Sequence, residues 1–260
     1  MKHQARKRFG QNFLQDDSVI TRMLCAMKPV SDDRVVEVGP GLAALTLPLL
    51  EYLDSLTVVE IDRDLIAKLH DRKLHNLTIH EGDVLEVDWK TMADGQPLRI
   101  VGNLPYNIGT PLLLELSTHH PVIRDVHVML QKEVVNRLHA VAGTRAYGRL
   151  SVLMQSVFTI TPLFAVPPEA FQPVPKVESA VVRLKTRPDA LSVESLTALQ
   201  AVTRLAFANK RKTLRNNFKG HLDEQQLTAL QINPQARAET LSLDDFNRLA
   251  SHMVNYANQT

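Results

Sequence analysis

The stretch "RVVEVGPGLAALTLPLLEYLDSLTVVEID", residues 34–62, decides the fold. It opens on a β-branched run, "RVVEVG" (34–39), turns at glycines into the helix-like "LAALTLPLLEYL" (42–53), and returns to a second apolar run, "LTVVEI" (56–61). Two such runs joined by an amphipathic segment read as a βαβ unit, and a βαβ unit implies a parallel sheet. Working outward, "LTIHEGD" (77–83), "LRIVGN" (98–103) and "DVHVMLQ" (125–131) are further strand candidates. Helical "RDLIAKLHDRK", "PLLLELSTH" and "KEVVNRLHAV" are interleaved with them. Two later runs, "SVLMQSVFTI" (151–160) and "ESAVVRLK" (178–185), also read as strands. From about residue 190 only helical periods remain, so "TRPDA" (186–190) marks a boundary between a domain of residues 1–188 and one of residues 189–260. The fold class is α/β with a small all-helical C-terminal domain.

Composition narrows the function classes. At 260 residues, 44% hydrophobic and 22% charged, the chain reads as an ordinary globular protein with a substantial core. Its single cysteine, Cys25, rules out an internal disulfide and suits a reducing cytoplasm; with no Cys-His context it is expected to be a buried thiol. No apolar run is long enough to span a membrane, and "KHQARKRFGQNF" lacks the apolar core of a secretory signal. No metal site is expected: there is no His-Glu-x-x-His, and His119 and His120 are adjacent rather than one helical turn apart. The net charge of +2 conceals two basic blocks, residues 1–28 and 203–220, around an acidic centre. The second block holds Arg204, Lys210, Arg211, Lys212, Arg215 and Lys219 without an acid, a pattern that suits a polyanion or a solvated helix face.

In open α/β sheets ligands bind beyond the carboxyl ends of the strands. Here the first strand ends in "EVGPGLAALT", the second in Glu60, the third in Asp83 and the fourth in Asn103-Leu104-Pro105-Tyr106. Gly39, Gly41 and Ala44 satisfy a dinucleotide fingerprint, and Glu60 lies where an acid would bind a ribose diol, so a nicotinamide dehydrogenase is one reading. An S-adenosylmethionine enzyme is another. Asp83 could read an adenine amino group or simply cap a turn. The fourth strand separates the readings, because Asn-Leu-Pro-Tyr carries no side chain that titrates near neutral pH. Methyl transfer from a sulfonium requires no strong base. The Asn103 side-chain oxygen and the Leu104 carbonyl could accept both N–H bonds of an exocyclic amine, with Pro105 aiming that carbonyl and Tyr106 offering a stacking face.

These residues carry a resemblance. "GQNFL" (10–14), "VEVGPGLAALT" (36–46), "VEID" (59–62), "GDVLEVD" (82–88), "VGNLPYNI" (101–108) and "FQPVPKVESAVVRL" (171–184) together resemble the ribosomal RNA adenine dimethyltransferase family, most closely its bacterial small-subunit branch. The resemblance covers nearly the whole chain. It implies a Rossmann-like methyltransferase domain and a helical RNA-binding domain. It also implies transfer of two methyl groups from S-adenosylmethionine to each of two adjacent adenosines in a 3′-terminal hairpin loop. By that resemblance Asn12, Leu14, Gly39, Gly41, Glu60, Asp83 and Asn103 contact the cofactor, and Asn103, Leu104, Pro105 and Tyr106 handle the adenine. Phe171 would sandwich the flipped base opposite Tyr106, and Arg211, Lys212 and Arg215 would meet phosphate. The implied partners are small-subunit RNA and its assembly intermediates, met by a cytoplasmic monomer. One departure is Ala43, where the family pattern "GPGLGALT" has glycine. The alternatives are a large-subunit RNA methyltransferase of the antibiotic-resistance type and a non-catalytic ribosome-assembly factor.

Overall fold

Residues 11–257 are described in a computed structural model of the chain. They form two compact units. One comprises the described residues through Val135 together with Thr161–Thr186; the other comprises Asn136–Ile160 together with the chain from Arg187 onward.

The first unit is built on a parallel-rich sheet. Its strands are β2 (Val35–Val38), β3 (Leu56–Glu60), β4 (Leu77–Glu81), β5 (Leu98–Asn103), β6 (Ile123–Gln131), β7 (Phe158–Val166) and β9 (Ser179–Thr186), in the order β4-β3-β2-β5-β6-β9-β7. β2 runs parallel to both β3 and β5, β3 to β4, and β5 to β6, whereas β9 is antiparallel to β6. Helices α1 (Asp17–Met27), α2 (Thr46–Leu50), α3 (Arg63–Asp71), α4 (Trp89–Ala93) and α5 (Gly109–Thr118) accompany the strands. All four residues of β2 and all but the last of β5 are buried, as expected of strands covered on both faces. The order reverses between β2 and β5, and a crevice opens there at the strands' carboxyl ends. Gly102 permits that junction to close: a Cβ on it would stand 2.5 Å from the Val38 carbonyl oxygen.

At the opposite ends of the strands lies a buried charge network. Arg99 forks onto Asp125 at 3.1 and 3.2 Å, meets Asp33 at 2.5 Å, and donates to the Met27 carbonyl at 2.6 Å. Burial opposes charge on Asp125, but bonds from His127 and Arg99 outweigh it and hold the carboxyl below its usual range. The network ties the last turn of α1 to the sheet. A separate two-stranded ladder pairs β1 (Phe13–Leu14) with β8 (Phe171–Gln172).

The second unit is helical, with α7 (Arg149–Gln155), α8 (Val193–Ala206), α9 (Leu214–Asn217), α10 (Glu224–Ala229) and α11 (Leu243–Ala257). α8 packs on α11 and α7. Phe207 stacks on Phe246 at 5.6 Å and meets Tyr147 edge-on at 6.5 Å. α6 (Lys132–Leu138) and β7 span the junctions of the two units.

Three expectations are corrected. "SVLMQSVFTI" is not one strand: Ser151 to Gln155 are helical, and the strand begins at Phe158. Val152, Leu153, Met154 and Val157 are all fully buried, so their apolar run carried no period to separate helix from strand. Ser151 supplies the helical start, accepting from the Gly148 N–H at 3.1 Å and donating to the Arg137 carbonyl at 2.6 Å. A single cut at residues 186–190 also differs from the division found, because Asn136–Ile160 joins the helical unit. Cys25 is exposed, not buried. α1 buries Val19, Ile20, Met23 and Met27, and a residue two positions after Met23 points to the other face of the helix.

Candidate active site

The crevice between β2 and β5 holds a cavity of about 1180 Å³ counted out to its open mouth. Asn12, Leu14, Gly39, Gly41, Glu60, Asp83, Asn103, Leu104, Pro105 and Tyr106 all line it. The sequence scatters these residues over the first 106 positions, and parallel pairing with the β2–β5 reversal brings them together.

Each side is set by local chemistry. Gly39 and Gly41 take positive φ (67° and 59°) and turn the backbone beneath the cavity. The same turn shortens the expected helix over 42–53 to Thr46–Leu50. Ala43 also lies at positive φ (69°), so the departure from glycine places a side chain in the left-handed region rather than merely narrowing the loop. Its methyl is buried in the core, which offsets part of that cost.

Glu60 is held by backbone donors. Its Oε1 accepts from the Ile61 and Asp62 N–H groups at 2.9 Å each, and its Oε2 accepts from Gly41 at 3.4 Å. Burial nevertheless pushes its carboxyl above the usual range. The long bond to Oε2 leaves that oxygen able to accept a diol. Asp83 caps the short turn Val84–Glu86, its Oδ1 accepting from the Leu85 N–H at 3.0 Å, so it is a turn residue and a cavity residue at once.

The Asn103 side-chain nitrogen donates to the Asn12 carbonyl at 2.8 Å. That bond directs the amide so that Oδ1 is the group left for an incoming N–H. Leu104 is anchored by its N–H to the Met129 carbonyl at 3.3 Å and by a side chain that is 1% exposed. Tyr106 is half-buried, and its hydroxyl meets the Ser179 hydroxyl at 2.9 Å.

Phe171 departs from expectation. It is 2% exposed, pairs with Leu14 in the β1–β8 ladder, and belongs to the core cluster rather than to the cavity lining. A proline-rich loop suggests a presented ring, but the pairing with Leu14 buries this side chain.

Gln11, Phe13 and Glu37 also line the cavity, and the carboxyl ends of the strands alone do not point to them. Gln11 donates to the Asp62 carboxylate at 3.0 Å, and the Phe13 ring lies 3.1 Å from where a Cβ on Gly41 would stand. Glu37 lines the cavity at 2% exposure, with Oε2 lacking a hydrogen-bond partner. Burial pushes its carboxyl up to about 8, and the Glu60 charge adds to this. The signal for Glu37 was present: an acid inside the β-branched run "RVVEVG" is out of place unless it serves a site.

In the helical unit Arg211 and Lys212 are exposed, while Arg215 is engaged with Glu224 at 2.7 Å. Of the basic block at residues 1–28, Lys2, Arg6, Lys7 and Arg8 lie outside the described residues, whereas Arg22 and Lys28 are exposed. Among the described residues there is no group of metal-ligating side chains and no helix long and apolar enough to cross a membrane.

A parallel sheet closed by an antiparallel strand, with a glycine turn, an acid after β3 and Asn-Leu-Pro-Tyr after β5, defines a Rossmann-like methyltransferase. Residues 2–255 match the family described as "Ribosomal RNA adenine dimethylase". The chain belongs to that family. It is 52% identical over 257 residues to "Ribosomal RNA small subunit methyltransferase A" of Bordetella petrii, covering 97% of each chain. The protein of that name from Chromobacterium violaceum is 51% identical, again with 97% of each chain covered. Among solved structures, a dimethyladenosine transferase from Plasmodium falciparum superposes with a TM-score of 0.79 at 26% identity, covering 94% of this chain and 98% of the other.

Proposed function

We propose that the chain transfers methyl groups from S-adenosylmethionine to the exocyclic amines of two adjacent adenosines in a 3′-terminal hairpin loop of small-subunit ribosomal RNA. The single observation that carries this reading is the Asn103 amide, whose nitrogen is spent on Asn12 and whose oxygen is thereby presented to the cavity. S-Adenosylmethionine would supply an electrophilic methyl group on a positive sulfur. Glu60 would hold its ribose diol, Asp83 its adenine amino group, and the Gly39–Gly41 turn its amino-acid end. Glu37, buried beneath the same turn, is a further acceptor for a cationic group.

An aniline-like amine attacks poorly because its lone pair is delocalised into the ring. Acceptors at Asn103 Oδ1 and the Leu104 carbonyl draw its two N–H bonds out of the ring plane and free that lone pair. As the N–C bond forms the S–C bond breaks, and the nitrogen sheds one proton to water. Tyr106 stacks the base, worth roughly 1–3 kcal/mol, and in-line positioning supplies much of the remainder.

Arg211 and Lys212 are the phosphate contacts of this reading; Arg215 would exchange Glu224 for phosphate, at small cost for an exposed pair. The protein would act as a monomer, in the cytoplasm, on assembly intermediates of the small subunit. Incubation with labelled S-adenosylmethionine and undermodified small or large subunits tests the proposal. Label on adjacent small-subunit adenosines is expected. Label confined to large-subunit RNA would replace the reading with the antibiotic-resistance type, and no label with that of an assembly factor.

A further inference from the structure

We infer that Ser179 is a positioning residue that holds the Tyr106 side chain in the direction from which its ring receives the adenine. This rests on the methyl-transfer reading and goes beyond it, because Ser179 does not line the cavity.

Tyr106 sits on the loop after β5, and a ring there can swing about two side-chain torsions. Its far end is not free to do so. The phenolic oxygen lies 2.9 Å from the Ser179 hydroxyl, two strands away across β6. Ser179 is fully buried, where a hydroxyl without a partner is costly, and Tyr106 provides that partner.

The anchor itself is rigid. Ser179 is the first residue of β9 and sits opposite Gln131 in the β6–β9 ladder. Its neighbour Glu178 is fastened twice to Lys132: the Lys132 N–H donates to the Glu178 carbonyl at 2.9 Å, and the ammonium meets its carboxylate at 2.8 Å. A side chain tethered at the backbone and at its hydroxyl has one direction for its ring axis; one tethered at the backbone alone has several. Since methyl transfer depends on the angle at which the amine meets the methyl group, restricting the ring acts on the transfer step rather than on cofactor binding.

The test is a double-mutant cycle on single-turnover methyl transfer to undermodified small subunits, with cofactor affinity measured in parallel. Ser179→Ala and Tyr106→Phe each break the same bond, and Tyr106→Phe does so without touching the buried serine. Each is expected to slow transfer roughly threefold to tenfold, with cofactor Kd unchanged and the double variant no slower than the slower single. Multiplying effects in the double variant, or a parental rate in Ser179→Ala, would overturn the positioning role. Tyr106→Ala separates the two levels. A parental rate there removes the stacking reading itself, whereas a slow Tyr106→Ala beside an unimpaired Ser179→Ala removes the serine's role alone.

Discussion

The Asn103 side-chain nitrogen donates to the Asn12 backbone carbonyl at 2.8 Å, joining the end of β5 to the segment that precedes β1. One bond therefore orients the acceptor and secures one wall of the cavity. Asn103→Ala is expected to slow methyl transfer by at least about a hundredfold while leaving RNA affinity within about threefold of the parent. Asn103→Asp should be no better, because a carboxylate would face the Asn12 carbonyl with no hydrogen to donate. Single-turnover rates beside filter binding of RNA decide it, and equal losses in both quantities would refute the assignment.

Arg211→Ala combined with Lys212→Ala is expected to do the reverse. RNA binding should weaken and its dependence on log salt should flatten by about two phosphate contacts, with the transfer step in the bound complex preserved. Arg215→Ala should have less effect, since Arg215 already engages Glu224. Binding isotherms across a salt series measure all three.

Much of this was legible in the sequence, for a physical reason. β2, β3, β5 and β6 are covered strands, so their β-branched runs stand out against the helices between them, and a chemically distinct residue marks each carboxyl end. What escaped depends on partners distant in the chain. The run "FQPVPK" reads as a loop that presents Phe171, and only pairing with Leu14, over 150 positions earlier, buries it. Residues 136–160 joined the helical unit through packing that no local period announces. Ser179 lies inside "FQPVPKVESAVVRL", but nothing local sets it apart there, since its importance is a bond to Tyr106.

Gly41 should not tolerate a side chain. Its φ of 59° costs an L-residue about 1–2 kcal/mol, and a Cβ would meet the Phe13 ring at 3.1 Å. Gly41→Ala is expected to lower stability by roughly that amount and to weaken cofactor binding. Adding Phe13→Leu should restore part of the binding and little of the stability. Recovery of both would show that crowding, not backbone strain, was the whole effect.

Glu37 makes stability depend on pH with a definite sign. Its ordinary value is 4.5 and its folded value is about 8, so between them the folded protein keeps a proton that the unfolded chain has released. Stability therefore falls as pH rises through that window. Glu37→Gln cannot titrate, and its stability relative to the parent should rise by about 1 kcal/mol or more from about pH 5 to about pH 8. Urea unfolding at the two pH values reads the difference, and a constant offset would contradict it.

Arg99→Met would remove the one fully buried cation of the network, leaving Asp33 to the half-exposed Arg124 and Asp125 to His127. The expected loss is about 3 kcal/mol in chemical denaturation, because breaking a buried pair leaves its carboxylates poorly compensated even where a second partner remains. A loss below about 1 kcal/mol would mean that water already reaches the network.

The most direct test of the central claim is nucleoside mass spectrometry of undermodified small-subunit RNA after incubation with the protein and S-adenosylmethionine. The account predicts N6,N6-dimethyladenosine at two adjacent positions of the 3′-terminal hairpin with the parent chain and almost none with Asn103→Ala. Unmodified adenosine with the parent chain, or equal dimethylation by Asn103→Ala, would contradict it.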